Sequence, residues 1–160
     1  MERVEIAELE REPHPMGVNR ERRDVGAALG TEELGVVHYE LQPGEQFSGG
    51  LHTHHDQEEA FYVVEGTATF EHGTDEDEVE VEAGEVVHFE PGEFQCGRNR
   101  SDEPVVAVAL AAPGRRHNWE DLESFAPCGE CGEVTSHGVR EPQEAFVIYC
   151  NECGHEMEIA

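Results

Sequence analysis

The stretch GGLHTHHDQEEAFYVVEG, residues 49–66, decides how the chain is read. Within eight residues it offers three candidate metal ligands, His52, His54 and Glu59. His52 and His54 stand two apart, so on a strand both imidazoles point to the same face. Behind them Phe61-Tyr62-Val63-Val64 is rich in strand formers and ends at Glu65-Gly66, which reads as a strand closed by a turn. Two imidazoles and one carboxylate suit divalent Fe, Mn, Zn or Ni and leave coordination positions open.

Outward from this stretch the pattern stays β-like. Strands are expected at Val36–Leu41, Thr67–Phe70, Asp75–Glu82, Gly84–Phe89 and Val105–Ala112, and turns at Pro43-Gly44, Pro91-Gly92 and Pro113-Gly114. DEDEVEVE places Val79 and Val81 on one face and acids on the other, as a half-exposed strand does. Many short strands divided by Gly and Pro turns argue for an all-β sandwich or barrel. Val4–Leu9 alternates weakly, as a first strand or an arm. Residues 11–30 read as a loop with one short helical turn, and Trp119–Phe125 is the one helix candidate beyond them.

His52-x-His54-x4-Glu59-x6-Gly66 resembles the first motif of the cupin superfamily. That resemblance implies a small jelly-roll barrel of the double-stranded β-helix type, with His52, His54 and Glu59 holding a metal inside it. The six residues before Gly66 select Glu59 over Glu58. GEVVHFEPGEFQCGRN, Gly84–Asn99, resembles the second motif: Gly92 and Asn99 fall in frame, and the turn proline is displaced by one onto Pro91. Gln95 stands where the family carries a fourth, imidazole ligand. An amide oxygen is a neutral, weaker ligand, and the amide can equally donate a hydrogen bond. The resemblance covers residues 35–112.

Phe61 and Val63 share the face of Glu59 by strand alternation and are candidate pocket residues, joined by Tyr39, Phe94 and Arg98. Arg98 either clamps a substrate carboxylate or is a surface arginine. His55 reads as rim, His88 as structural and Cys96 as a buried free thiol. Cupins include metal-dependent oxygenases, isomerases and decarboxylases, so the resemblance leaves the reaction open. A barrel that senses a small molecule without turning it over is the alternative. Single-barrel cupins often pair, which implies a homodimer. No Ser or Cys nucleophile is visibly paired with a histidine, so a hydrolase triad is not supported.

A second constellation lies at the C-terminus. Cys128-Gly-Glu-Cys131-Gly and Cys150-Asn-Glu-Cys153-Gly are two CxxC knuckles with eighteen residues between them. Four thiolates at this spacing close a tetrahedral zinc site, and the glycine after each pair permits the tight turn beneath the metal. The module resembles a zinc ribbon, with a strand expected at Ala145–Tyr149. So small a unit cannot build its own core, so metal would fold it. His137 and His155 are expected to face solvent. The expected organisation is a barrel with an N-terminal arm over residues 1–114, a linker over 115–125 and the ribbon over 126–160.

The chain has 160 residues and a formal charge of −27, from 37 acids against ten arginines and no lysine. So acidic a surface repels itself unless salt screens it, a composition like that of proteins from salt-loving microbes. Nucleic acid and anionic membranes are excluded as partners by charge. The ribbon, with one arginine against seven glutamates over residues 126–160, suits a protein contact better than a nucleic acid. No apolar run approaches the ~20 residues of a membrane span, and no signal peptide is visible. CxxC pairs without a secretory signal point to metal in a reducing compartment, so a cytoplasmic protein is expected.

Overall fold

Period-2 alternation between Gly and Pro turns makes strands along almost the whole chain. The computed structural model describes residues 1–75, 77–140 and 146–159. Its strands are β1 (Glu21–Asp24), β2 (Gly35–Leu41), β3 (His52–His54), β4 (Glu58–Glu65), β5 (Thr67–His72), β6 (Asp77–Glu82) and β7 (Val86–Phe89). There follow β8 (Gln95–Arg98), β9 (Val105–Ala112), β10 (Leu122–Pro127), β11 (Val134–Val139), β12 (Phe146–Cys150) and β13 (Glu156–Ile159). One short helix, α1 (Val25–Leu29), begins at Asp24, whose carboxylate accepts the Ala27 N–H at 2.8 Å.

Two antiparallel sheets form the molecule. One has the order β1-β2-β9-β4-β7; the other runs β13-β12-β11-β10-β3-β8-β5-β6. Their inner faces enclose an aromatic core. Phe61 lies 5.0 Å from Phe70 and 5.2 Å from Phe47 between ring centroids, and Phe89 closes the set at 5.7 Å from Phe70. Leu41, Val63 and Val105 complete it with no solvent exposure. Each such side chain contributes on the order of 1.5–3 kcal/mol by leaving water. Gly97 is obligatory here: a Cβ on it would stand 2.4 Å from the Phe70 ring and 2.6 Å from that of Phe47.

Three expectations change. Trp119–Phe125 is not a helix: a 3-10 turn at Trp119–Asp121 leads straight into β10. The cause is the edge of β3, whose backbone groups pair with β10 at Leu122↔His54, Glu123↔Thr53 and Ser124↔His52. The last residues of the segment read as a linker are therefore a strand, and the cysteine-bearing strands continue the barrel's own sheet. Val4–Leu9 forms a single 3-10 turn, Ile6–Glu8, while residues 11–30 contain β1, which pairs along β2. Glu-Arg-Arg-Asp gives no apolar alternation by which to see that strand. The C-terminal strand is Phe146–Cys150; Ala145 lies outside the described residues. No helix among the described residues is long and apolar enough to cross a membrane.

Candidate metal centre and cleft

Strand β3 carries His52 and His54 on one face, and β4 brings Glu59 from the opposing sheet, with Phe61 and Val63 beyond it on the same inner side. One ligand atom each from His52, His54 and Glu59 lie within 4.8 Å of one another. His54 Nε2 stands 3.7 Å from a Glu59 oxygen. His52 Nδ1 donates to the Gly50 carbonyl at 2.9 Å, which leaves its Nε2 as the lone pair that faces the cluster. Gln95, opposite His52 in the β3–β8 register, donates its amide N–H to Glu59 at 2.8 Å and lies 3.4 Å from His52 Nε2. Its Oε1 is buried without a partner, as is Nδ1 of His54.

Burial sets the electrostatics. Desolvation pushes the Glu59 carboxyl up to about 7, against the opposing hydrogen bond from Gln95. Desolvation lowers His52 to about 4 and His54 to about 2, with neighbouring imidazoles adding to the shift of each. Both rings are therefore neutral, the form in which imidazole ligates metal. The donor set fits a divalent cation: two neutral nitrogens, a recessed carboxylate with no cationic side chain of the described residues paired to it, and an amide oxygen with no partner among them.

The centre opens into a cleft of about 500 Å³. Tyr39 and Phe61 line it. Val63, Phe94 and Arg98 do not, contrary to expectation. Val63 is completely buried in the core behind Phe61. Phe94 packs against Phe125 at 5.6 Å, and Arg98 is held by Glu71 at 2.7 Å. His55 pairs with Glu123 at 2.6 Å and the exposed His88 with Glu58 at 2.9 Å. Cys96 is fully buried, its thiol pKa raised by burial. Asn99 is buried too, clamping the carbonyls of Leu41 and Glu103.

Sequence reasoning missed His117. Its ring lies 4.7 Å from that of His54 and 4.7 Å from Trp119, and its Nε2 is buried without a partner. The available signal was a histidine five residues after the end of β9 and two before the chain's single tryptophan. Trp119 in turn meets Phe146 at 5.9 Å, and Val139, Phe146, Ile148 and Ile159 roof the cleft. The C-terminal strands thus form one wall of it.

The four cysteines converge. Cys128 Sγ lies 3.6 Å from Cys153 Sγ, and Cys131 Sγ lies 3.8 Å from Cys150 Sγ. Four sulfurs held ~2.3 Å from one tetrahedral centre stand roughly 3.8 Å apart. Both knuckles repeat one backbone device: Gly132 N–H bonds the Cys128 carbonyl and Gly154 N–H that of Cys150, each at 2.9 Å, with φ of 73° and 75°. Thr135 Oγ1 lies 3.3 Å from Cys150 Sγ and leads the effects that lower that thiol to about 6. His137 does not face solvent as expected. It is completely buried, its Nδ1 donating to the Thr135 carbonyl at 2.9 Å, because β11 turns it beneath the hairpin.

Residues 37–111 match the family described as the Cupin domain. The barrel has the cupin fold. No curated protein matches the sequence. Among solved structures, a sugar phosphate isomerase from a cupin superfamily of Silicibacter pomeroyi DSS-3 superposes with a TM-score of 0.64 at 19% identity, over 98% of this chain and 92% of that one. The polyketide cyclase RemF of Streptomyces resistomycificus gives 0.61 at 19% identity, over 73% and 81%. A protein described as a predicted oxalate decarboxylase, from Thermotoga maritima, gives 0.57 at 22% identity, over 70% and 99%. At these identities the likeness is one of cupin fold. Cupins generally bind a metal, and this cupin has two clusters that could hold one, with the cysteine cluster fitting a small zinc module.

Proposed function

We propose that this cupin is a metal-dependent enzyme acting on a small molecule in its cleft. His52, His54 and Glu59 hold the metal, and Gln95 assists. The observation carrying this reading is the recessed Glu59 carboxylate, faced by two neutral imidazoles and paired with no cation among the described residues, in a cleft of about 500 Å³. A divalent ion held by these three residues would supply the missing counter-charge and leave positions open at which a substrate oxygen could be polarised. The chain's own residues prepare the site. Gly50 fixes the His52 tautomer, Gln95 orients the carboxylate, and Tyr39, Phe61 and Trp119 line it with apolar surface. Oxygenase, isomerase and decarboxylase chemistry are all compatible with such a centre.

Cys128, Cys131, Cys150 and Cys153 hold a structural zinc, supported by sulfur spacings that match a closed tetrahedron. The outer face of the smaller sheet supports a homodimer. Tyr62, Val64, Val86 and Leu110 are exposed there on adjoining strands, a patch of the kind that marks interfaces. The charge of −27 fits a salty cytoplasm.

The test is metal analysis of protein purified in high salt without added metal. Two equivalents per chain are expected, one of them zinc, and the His52→Ala/His54→Ala protein should keep only the zinc. A wild type carrying one zinc alone would favour the second reading, a non-catalytic binding module with an apolar cleft.

A further inference from the structure

Seven of the ten arginines form ion pairs. Arg11 and Arg23 pair with Glu21, Arg20 with Glu45, Arg98 with Glu71, Arg100 with Glu78, Arg115 with Asp24 and Arg140 with Glu156. Among 37 acids that is the expected fate of a cation. The described residues place no carboxylate within ion-pair distance of Arg3, Arg22 or Arg116. Arg3 lies in the exposed N-terminus, whereas Arg22 and Arg116 both line the cleft of the candidate metal centre.

Arg22 is half-buried and faces Tyr39 across the β1–β2 ladder. His14 and His117 line the same cleft, and the buried Nε2 of His117 has no partner among the described residues. The acids of the cleft do not absorb these cations. Asp24 is taken by Arg115 at 2.9 Å, Glu59 belongs to the centre, and Glu12 is exposed. In a chain whose long-range field repels anions, the lining of this cleft is where arginines are not outnumbered by carboxylates.

We propose that this cleft holds an anion subsite. Arg22 and Arg116 bind a carboxylate or phosphate group of a small molecule, with His14 and His117 as hydrogen-bond partners. The other end of that molecule meets the His52–His54–Glu59 centre. The inference rests on the metal reading only for that far end. The guanidinium fork matches either anion bidentately, and the recess strengthens the contact by excluding water.

The experiment is calorimetric titration of the full chain at fixed ionic strength with inorganic phosphate and, separately, malonate. The wild type and the His52→Ala/His54→Ala protein are both titrated, with metal content measured in each. Saturable binding of one or both anions is expected, and the one bound more tightly identifies the group. Arg22→Gln should weaken it about tenfold, Arg22→Lys less, and Arg116→Gln a few-fold because Arg116 is exposed. Arg140→Gln, outside the cleft, should change nothing. Thermal midpoints confirm that each variant folds, and Arg22→Lys keeps the charge on β1 should Arg22→Gln unfold. Arg22-dependent binding that persists in the histidine double variant supports the subsite whatever becomes of the metal. No saturable binding of either anion to wild type, or binding indifferent to Arg22, overturns it. Absence of a barrel metal overturns only the metal reading.

Discussion

The two ligand clusters differ in what surrounds them. The barrel cluster is mounted on β3 and β4, strands already fixed by an interlocked set of phenylalanines, so its geometry is set before any ion arrives. The cysteine cluster sits on two knuckles at the end of the larger sheet, where β11–β13 have few fully buried apolar side chains of their own, Val139 and Ile148 chief among them. On the proposed reading, a fold holds the metal in the first case and the metal holds a fold in the second. The largest expected effect tests this directly. Cys150→Ser should lose one zinc per chain and, with it, hydrogen-exchange protection over β11–β13, while β4, β5 and β9 stay protected. Structural zinc in such sites is worth ~10–16 kcal/mol, far more than that small core can replace. Retained protection over β11–β13 in the variant would show that packing, not zinc, organises the module.

The opposite perturbation should leave the fold alone. In His52→Ala/His54→Ala the barrel metal is lost, yet thermal unfolding should move by no more than about 1–2 kcal/mol, since the aromatic core is untouched and an unpartnered buried nitrogen at His54 is removed. A collapse of the whole chain would make the barrel cluster as structural as the cysteines. Gln95 offers a finer cut. Gln95→Ala removes the hydrogen bond that orients Glu59 and should loosen the barrel metal about tenfold, as loss of an outer partner does. Gln95→His replaces a weak amide with an imidazole and should tighten it. Competition with a chelator reads both, and equal affinities in all three proteins would remove Gln95 from the site.

The same contrast explains what could be read from the sequence. Knuckles and ligand strands are local: Cys128 and Cys131, or His52 and His54, announce themselves within four residues, and Gly66 sets the frame for Glu59. The β pattern was legible for the same reason, because Val36–Leu41 alternates and Val105–Ala112 is an unbroken apolar run, each within one segment. What escaped was non-local. Nothing in Leu-Glu-Ser-Phe-Ala-Pro says that it will pair with β3, because that demand comes from another strand's unpaired backbone. His117 reaches His54 only through that pairing, and Val63 lies beneath Phe61 because a facing sheet covers it. Arg98 and Phe94 were lost from the cleft to partners elsewhere, Glu71 and Phe125.

The smallest effect lies at the seam between the two regions. Glu123 on β10 stands between Thr53 of β3 and Gly138 of β11, and it accepts from the Ser136 hydroxyl and from His55 Nε2. Partial burial pushes its carboxyl pKa up, but these two partners outweigh that and hold it below the ordinary carboxylate range. A carboxyl whose folded pKa lies below its unfolded value of about 4.3 stabilises the fold fully above that value. The contribution is then lost as pH falls through the lowered folded value. His55 is about half exposed, so solvent screens the pair and the contribution is about 0.5 kcal/mol. Glu123→Gln should therefore unfold slightly earlier than wild type at pH 7, and denaturant titrations of the two should converge below about pH 4. Molar salt should narrow the gap at pH 7 as well. A difference that persists unchanged into acid would mean that Glu123 acts by packing across the seam and not by charge.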